Sequence, residues 1–303
     1  MKKLAAIIVL MMTASAMAQE AATESNTNTM SVNTGSNSTK KDIDEEITNA
    51  KLRAVTGSKK NISVSSSFSY VGGPLNHPTS TERPQLNAQA AADPAKLSGQ
   101  IATKWRVSDH DNLSLGFGVD FTPEHKDAKT GDLLPAKTNA STPYLSYGRV
   151  FKAGGIQNVL DASVSKYTAQ EDLNEKLNGE LNLSHTMMGS VLNPKLEIGL
   201  STYFSQEIYS QSPSTIQMYQ VALNPILEYA FTDKLSFRTV YRWLTYTSLT
   251  DEKNTYKLGK QTESMGLGYA VTRDVYIYPN MQWSWSAISA DKTTVGVAAN
   301  INL

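Results

Sequence analysis

The chain has 303 residues and no cysteine, and its 28 Lys and Arg balance its 28 Asp and Glu. The missing cysteines exclude a disulfide framework, a thiolate metal site and a cysteine nucleophile. The balanced charge gives no electrostatic footprint for nucleic acid, and no stretch beyond the first residues approaches the roughly 20 consecutive apolar residues of a membrane helix.

Lys2 and Lys3 precede an apolar run from Leu4 to Met12, and small residues follow, ending in Ala16, Met17 and Ala18. This is the pattern of a secretory signal peptide over residues 1–18, with cleavage expected after Ala18. The run is too short to cross a bilayer. Loss of Lys2 and Lys3 takes the 28 basic residues to 26 against 28 acidic ones, a net charge of about −2.

Residues 19–40 are rich in Ser, Thr and Asn and almost devoid of apolar side chains. Such a segment cannot bury enough surface to offset the entropy of ordering, so a flexible leader is expected. In residues 41–57, Ile43, Ile47, Ala50 and Ala54 recur at helical spacing, Asp42 and Glu45 resemble a capping box, and Gly57 is placed to end the helix. One short amphipathic helix is predicted there. It acts as a plug or a periplasmic docking element, or it rests against the mouth of the following domain without further role.

From residue 58 to 303 the apolar period changes to two, the signature of strands with one apolar and one polar face. Twelve strands are predicted, near 61–71, 96–107, 113–122, 141–151, 157–167, 177–187, 194–204, 217–230, 234–246, 259–271, 274–285 and 293–303. Each has about the ten residues that a tilted strand needs to cross the hydrocarbon layer. The connections alternate short and long, with tight turns at SDHDN, KAGGI, near GSVLN, FTDK and TRD, and long loops at 72–95, 123–140, 205–216 and 247–258. Bacterial outer-membrane barrels show this asymmetry, with short periplasmic turns and longer outer loops.

The polar parity carries Gly and Ser interleaved with ions: Lys104, Arg106, Asp120, Asp161, Glu180, Lys195, Glu197, Glu228, Arg238 and Arg242. In a membrane barrel this face lines the lumen. Trp105, Trp243, Trp283 and Trp285 fall on the apolar parity at or near strand ends, where interfacial aromatic girdles sit. Glu228 and Arg238 flank the FTDK turn with matching parity, so one allowed register pairs them across neighbouring strands.

The last strand, VGVAANINL, places Val295, Val297, Ala299, Ile301 and Leu303 on one face and ends at the final residue. It resembles the C-terminal strand of Gram-negative outer-membrane β-barrel proteins, of porin-like type, although Leu303 stands where an aromatic residue is usual. The resemblance covers residues 61–303 as a pattern and implies an outer-membrane location, recognition by the barrel-assembly machinery through that strand, and contact with outer-membrane lipid.

Chemistry-bearing motifs are sparse. A lipid hydrolase in such a wall needs a His beside Ser or Asn near the outer rim. His77 and His125 fall in predicted outer loops and His110 in a periplasmic turn, while His185 falls near the periplasmic end of the sixth strand, where adjacency to Ser184 sends the two side chains to opposite faces. Asp109, His110 and Asp111 resemble metal ligands, but SDHDN is also good turn chemistry. No catalytic residue, metal or cofactor is assigned. The expectation is an all-β, transmembrane antiparallel barrel of about 12 strands, preceded by a flexible leader and one short helix. It serves as a passive channel for small hydrophilic solutes with a mixed-charge lumen; the alternatives are a structural or adhesive barrel binding a partner through its outer loops, and a barrel-embedded lipid hydrolase.

Overall fold

A computed structural model describes residues 47–56, 60–84, 94–127, 130–210, 217–242, 244–249, 255–258 and 261–303. The signal peptide, the leader, and the first six residues of the expected helix lie outside these residues.

Helix α1 is Ala50–Thr56. The strands are β1 (Ile62–Pro74), β2 (Lys96–Arg106), β3 (Asp111–Thr122), β4 (Lys137–Ala153), β5 (Ile156–Lys166), β6 (Leu177–Val191), β7 (Asn193–Tyr209) and β8 (Gln217–Ala230). They continue with β9 (Leu235–Arg242, carried on by Leu244–Leu249), β10 (Thr262–Thr272), β11 (Val275–Ser284) and β12 (Thr294–Asn302). A short helix α2, Gln170–Asn174, bridges β5 and β6. A two-residue ladder, His125–Lys126 with Leu133–Leu134, extends the β3–β4 loop, and Thr255–Leu258 pairs with the far end of β9.

Each strand pairs antiparallel with its sequence neighbours, and β1 pairs with β12 from Ser65 opposite Asn302 to Val71 opposite Gly296. The result is a closed barrel of twelve strands. Closure matters because a strand edge in lipid would leave unpaired N–H and C=O groups at several kcal/mol each. The seam carries side-chain bonds on its luminal face: Ser63 Oγ donates to Asn302 Oδ1 at 3.0 Å and Ser67 Oγ to Asn300 Oδ1 at 3.0 Å.

All the tight turns fall at one end. Between β4 and β5 the turn is Gly154–Gly155, with φ of 55° and 85°. Two successive positive φ values suit the right-handed twist of a two-residue hairpin, and glycine adopts them without a steric cost.

The distribution of apolar side chains is inverted relative to a soluble protein. Val64, Leu115, Leu145, Val164, Ile198 and Leu267 are exposed on the outer wall, whereas Ser114, Ser146, Ser205, Glu228, Arg238 and Asn302 are buried inside it. A soluble barrel places its apolar parity inward, so an apolar band around a polar interior is the arrangement of a barrel solvated by lipid. Trp105 and Trp285 are about half exposed, at the end of β2 and just beyond β11, and Trp283 is half-buried near the end of β11. The side chain of Trp243 lies outside the described residues.

The N-terminal helix is shorter than its periodicity suggests. Ile47, Thr48 and Asn49 are not helical, and α1 begins at Ala50. The reason is local: Asn49 Oδ1 accepts the Leu52 N–H at 3.1 Å as a cap, and the Thr48 and Asn49 N–H groups are both taken by Gln157 Oε1, at 2.8 and 2.9 Å.

A closed, hydrogen-bonded wall resists detergent at room temperature. Unboiled protein should therefore migrate on a detergent gel at a position distinct from boiled protein; identical migration would contradict the closed barrel.

Candidate functional site in the barrel lumen

Helix α1 sits inside the barrel at the end with the short turns. Its apolar partners come from inward positions on opposite sides of the wall. Ile47 and Leu52 cluster with Val150 of β4, Met188 of β6 and Ile226 of β8, with Val159 and Val240 packed alongside. Ala54 clusters with Ala270 of β10 and with Tyr276 and Tyr278 of β11. The hydroxyl end of Tyr276 lies over Gly268, where a Cβ would collide with it, so glycine at that position makes room for the aromatic side chain.

Polar anchors fix the helix between these apolar contacts. Asn49 Nδ2 donates to Glu197 Oε2 at 2.5 Å and to Glu228 Oε2 at 3.1 Å. Glu197 and Glu228 stand directly opposite each other on β7 and β8, and Arg238 on β9 stands directly opposite Glu228. Arg238 Nη1 is ion-paired with Glu228 Oε2 at 2.5 Å, and both side chains are buried, Arg238 at 2 % exposure. Ser236 Oγ donates to Glu228 Oε1 at 2.7 Å, and Gln157 Nε2 to Glu197 Oε1 at 3.0 Å. At the other end of the helix Lys104 Nζ donates to the Val55 carbonyl at 2.6 Å. That places a cation on an orphan carbonyl at the negative end of the helix dipole.

Beyond the helix the lumen widens into a cavity of about 620 Å³. Among its lining residues are Lys51, Lys104, Asp161, Glu180, Arg238 and Arg242. Hydroxyl and amide side chains such as Ser163, Ser184, Asn182 and Asn224 fill the intervening positions. Glu180 is held by the hydroxyls of Tyr167 and Tyr203, at 2.9 and 3.0 Å. The remaining ions of the polar parity sit nearer the barrel ends: Asp120 pairs with Lys96 at 3.1 Å, Arg106 reaches the Ser108 and Asp109 carbonyls, and Lys195 is exposed beside the β6–β7 turn.

Sequence reasoning left out the seat of the helix. Val150, Val159, Met188, Ile226 and Val240 occupy the polar parity of their strands, and these interruptions of an otherwise polar face carry the signal. Asn49 and Gln157 were likewise unmarked, because isolated amides carry no pattern.

The histidines do not assemble a hydrolytic site among the described residues. His185 Nε2 lies 3.0 Å from Asn158 Oδ1, Ser184 lines the lumen, and the hydroxyl of Thr202, opposite His185, is directed at the His185 backbone carbonyl at 3.4 Å. In the SDHDN turn the candidate ligands diverge: Asp109 faces Arg106, His110 Nδ1 meets the Val150 carbonyl at 3.1 Å, and Asp111 engages Tyr147 and Arg149.

No family model and no curated protein sequence matches the chain. Solved structures do. An outer membrane channel from Pseudomonas putida F1 matches with a TM-score of 0.54 at 9% identity, over 82% of this chain and 98% of that one. The NanC porin matches at 0.43 and 8% identity, over 79% and 100% of the two chains, and outer membrane phospholipase A from Escherichia coli at 0.38 and 12%, over 79% and 92%. The first of these likenesses shows the fold, that of an outer-membrane β-barrel.

Asn49→Ala should remove the helix cap and deprive two carboxylates of a donor, loosening the helix by about 2–4 kcal/mol. Amide hydrogen exchange across residues 50–56 should accelerate by roughly thirtyfold or more while that of the strands away from Glu197 and Glu228 stays unchanged. Unchanged exchange in the helix would show that Asn49 does not hold it.

Proposed function

We propose that the barrel is a passive outer-membrane channel for small hydrophilic solutes, narrowed at its periplasmic end by the N-terminal segment that carries α1. The observation that carries this reading is the lumen itself, a cavity of about 620 Å³ lined by hydroxyl, amide and ionic side chains. A wall serving only as an anchor for outer loops has no need of that space, and closing it with apolar packing would be more stabilising.

In this reading residues 1–18 direct export and are removed after Ala18, and the C-terminal strand engages the assembly machinery. The apolar band contacts outer-membrane lipid. Lys104, Asp161, Glu180 and Arg242 meet the passing solute, while Glu197, Glu228 and Arg238 hold the helix. Arg106, Asp120 and Lys195 act on solutes at the two ends, and the tryptophans mark the interfaces. The barrel is not a hydrolase in this reading, since among the described residues no hydroxyl is directed at the imidazole of His185, which lies mid-way along β6.

Purified protein in a planar bilayer should give discrete conductance steps, and silence would contradict a channel. Arg242 is the cation to change for selectivity, because it is exposed to the lumen and among the described residues engages only Thr262 Oγ1, at 3.3 Å, whereas Arg238 is locked to Glu228. Arg242→Glu should leave assembly intact and move selectivity toward cations, through a two-unit charge change in a confined, poorly screened space. An unchanged reversal potential would remove Arg242 from the conduction path.

A further inference from the structure

The charges around the helix are unequally satisfied. Glu228 accepts from Ser236, Arg238 and Asn49, and Glu197 accepts from Gln157 and Asn49, so every carboxylate oxygen of the pair already has a donor. The cations beside them are in the opposite condition. Arg238 spends Nη1 on Glu228, while its Nε is buried with no partner. Arg242 donates to a threonine hydroxyl at 3.3 Å and has no carboxylate among the described residues. Lys51, on the first turn of α1, has no hydrogen bond or ion pair among them. All three line the same cavity.

A buried donor without an acceptor costs about 1–3 kcal/mol, and more when it is charged. An anion shared among the three would relieve that cost at buried Arg238 and take up the open donors of Lys51 and Arg242 in the same polar space, and oxyanions match the planar guanidinium best. We propose that Lys51, Arg238 and Arg242 form a binding site for a small oxyanion, the carboxylate, sulfate or phosphate group of a solute in the lumen. The proposal rests on the channel reading for the route by which the solute arrives, and it names the class of solute that the cavity beside the helix retains.

The state of Lys51 agrees with this. The charge of Arg238 first, then burial, with a smaller push from Arg242 and an opposing pull from Glu228, brings its ammonium down to about 7. The charged groups that face it are therefore these two arginines and Glu228. An anion among the three cations favours the protonated amine. At pH 8 the free site holds Lys51 largely neutral, so binding takes up a proton; at pH 6 Lys51 is already charged and binding takes up little.

The test uses the full chain, refolded in detergent, and sulfate as the probe, because sulfate does not itself titrate near neutrality. Calorimetric titration with sodium sulfate, against sodium chloride at matched ionic strength, should show saturable binding of sulfate alone. Arg242→Gln and Lys51→Gln should each weaken it by about tenfold or more, since each removes a charged donor. At pH 8 binding should take up protons in the unsubstituted protein and measurably fewer in Lys51→Gln. An equal response to chloride, an affinity unchanged in either variant, or binding without proton uptake would overturn the site. Conductance is read separately: a protein that conducts without binding sulfate refutes this site alone, and one that binds without conducting refutes the channel alone.

Discussion

Glu197 and Glu228 face each other across adjoining strands, both directed into the lumen. Like charges in directly opposed positions destabilise a sheet, and inside a narrow barrel little water is at hand to screen them. Arg238 neutralises one of them from the next strand, and Asn49 lies between the two and donates to both. Wall and helix are therefore interdependent. Without Asn49 the wall holds two opposed carboxylates with one cation, and without the carboxylates the helix loses its polar anchor. Breaking a buried pair of this kind by removing one partner costs about 3–5 kcal/mol, which is why the arrangement tolerates little change at Glu228 or Arg238.

The second constraint is the period of two. A closed antiparallel ladder satisfies every backbone group within the wall, and alternation then sends each residue either to lipid or to the lumen. Most inward positions are Ser, Asn, Gly or ions. The exceptions gather at one level, where Val150, Val159, Met188, Ile226 and Val240 point inward and receive Ile47 and Leu52. The lumen thus has two zones, an apolar and ionic seat filled by α1 and a wider polar cavity beyond it.

These features differ in how far the sequence discloses them. The strands are legible because alternation repeats over ten or more residues, and all twelve appear where the period places them, with β4, β6, β7 and β9 running several residues further. The Glu228–Arg238 pairing is legible because a short turn fixes the register on either side of it. The seat of the helix is not legible from local pattern. The amphipathicity of α1 says that one face is covered without saying by what, and its receiving surface is spread over strands as distant as β4 and β12. Asn49 belongs to the same class, since its partners Gln157, Glu197 and Glu228 lie more than a hundred residues away in sequence. The inward valines and Met188 are the trace such a contact leaves, visible as breaks in the polar parity.

The seating of α1 within the lumen is the claim on which the narrowed pore and the cation cluster both depend. The chain has no cysteine, so a pair introduced as Ala54→Cys with Ala270→Cys, two positions in one buried cluster, is free of background reaction. With protein assembled in membranes, a short thiol cross-linker should join helix to wall, detected as a looped chain on a denaturing gel after boiling. Efficient joining is the result expected if α1 sits inside the barrel. Failure to join in a correctly assembled barrel, with both thiols open to a soluble reagent, would place the helix elsewhere.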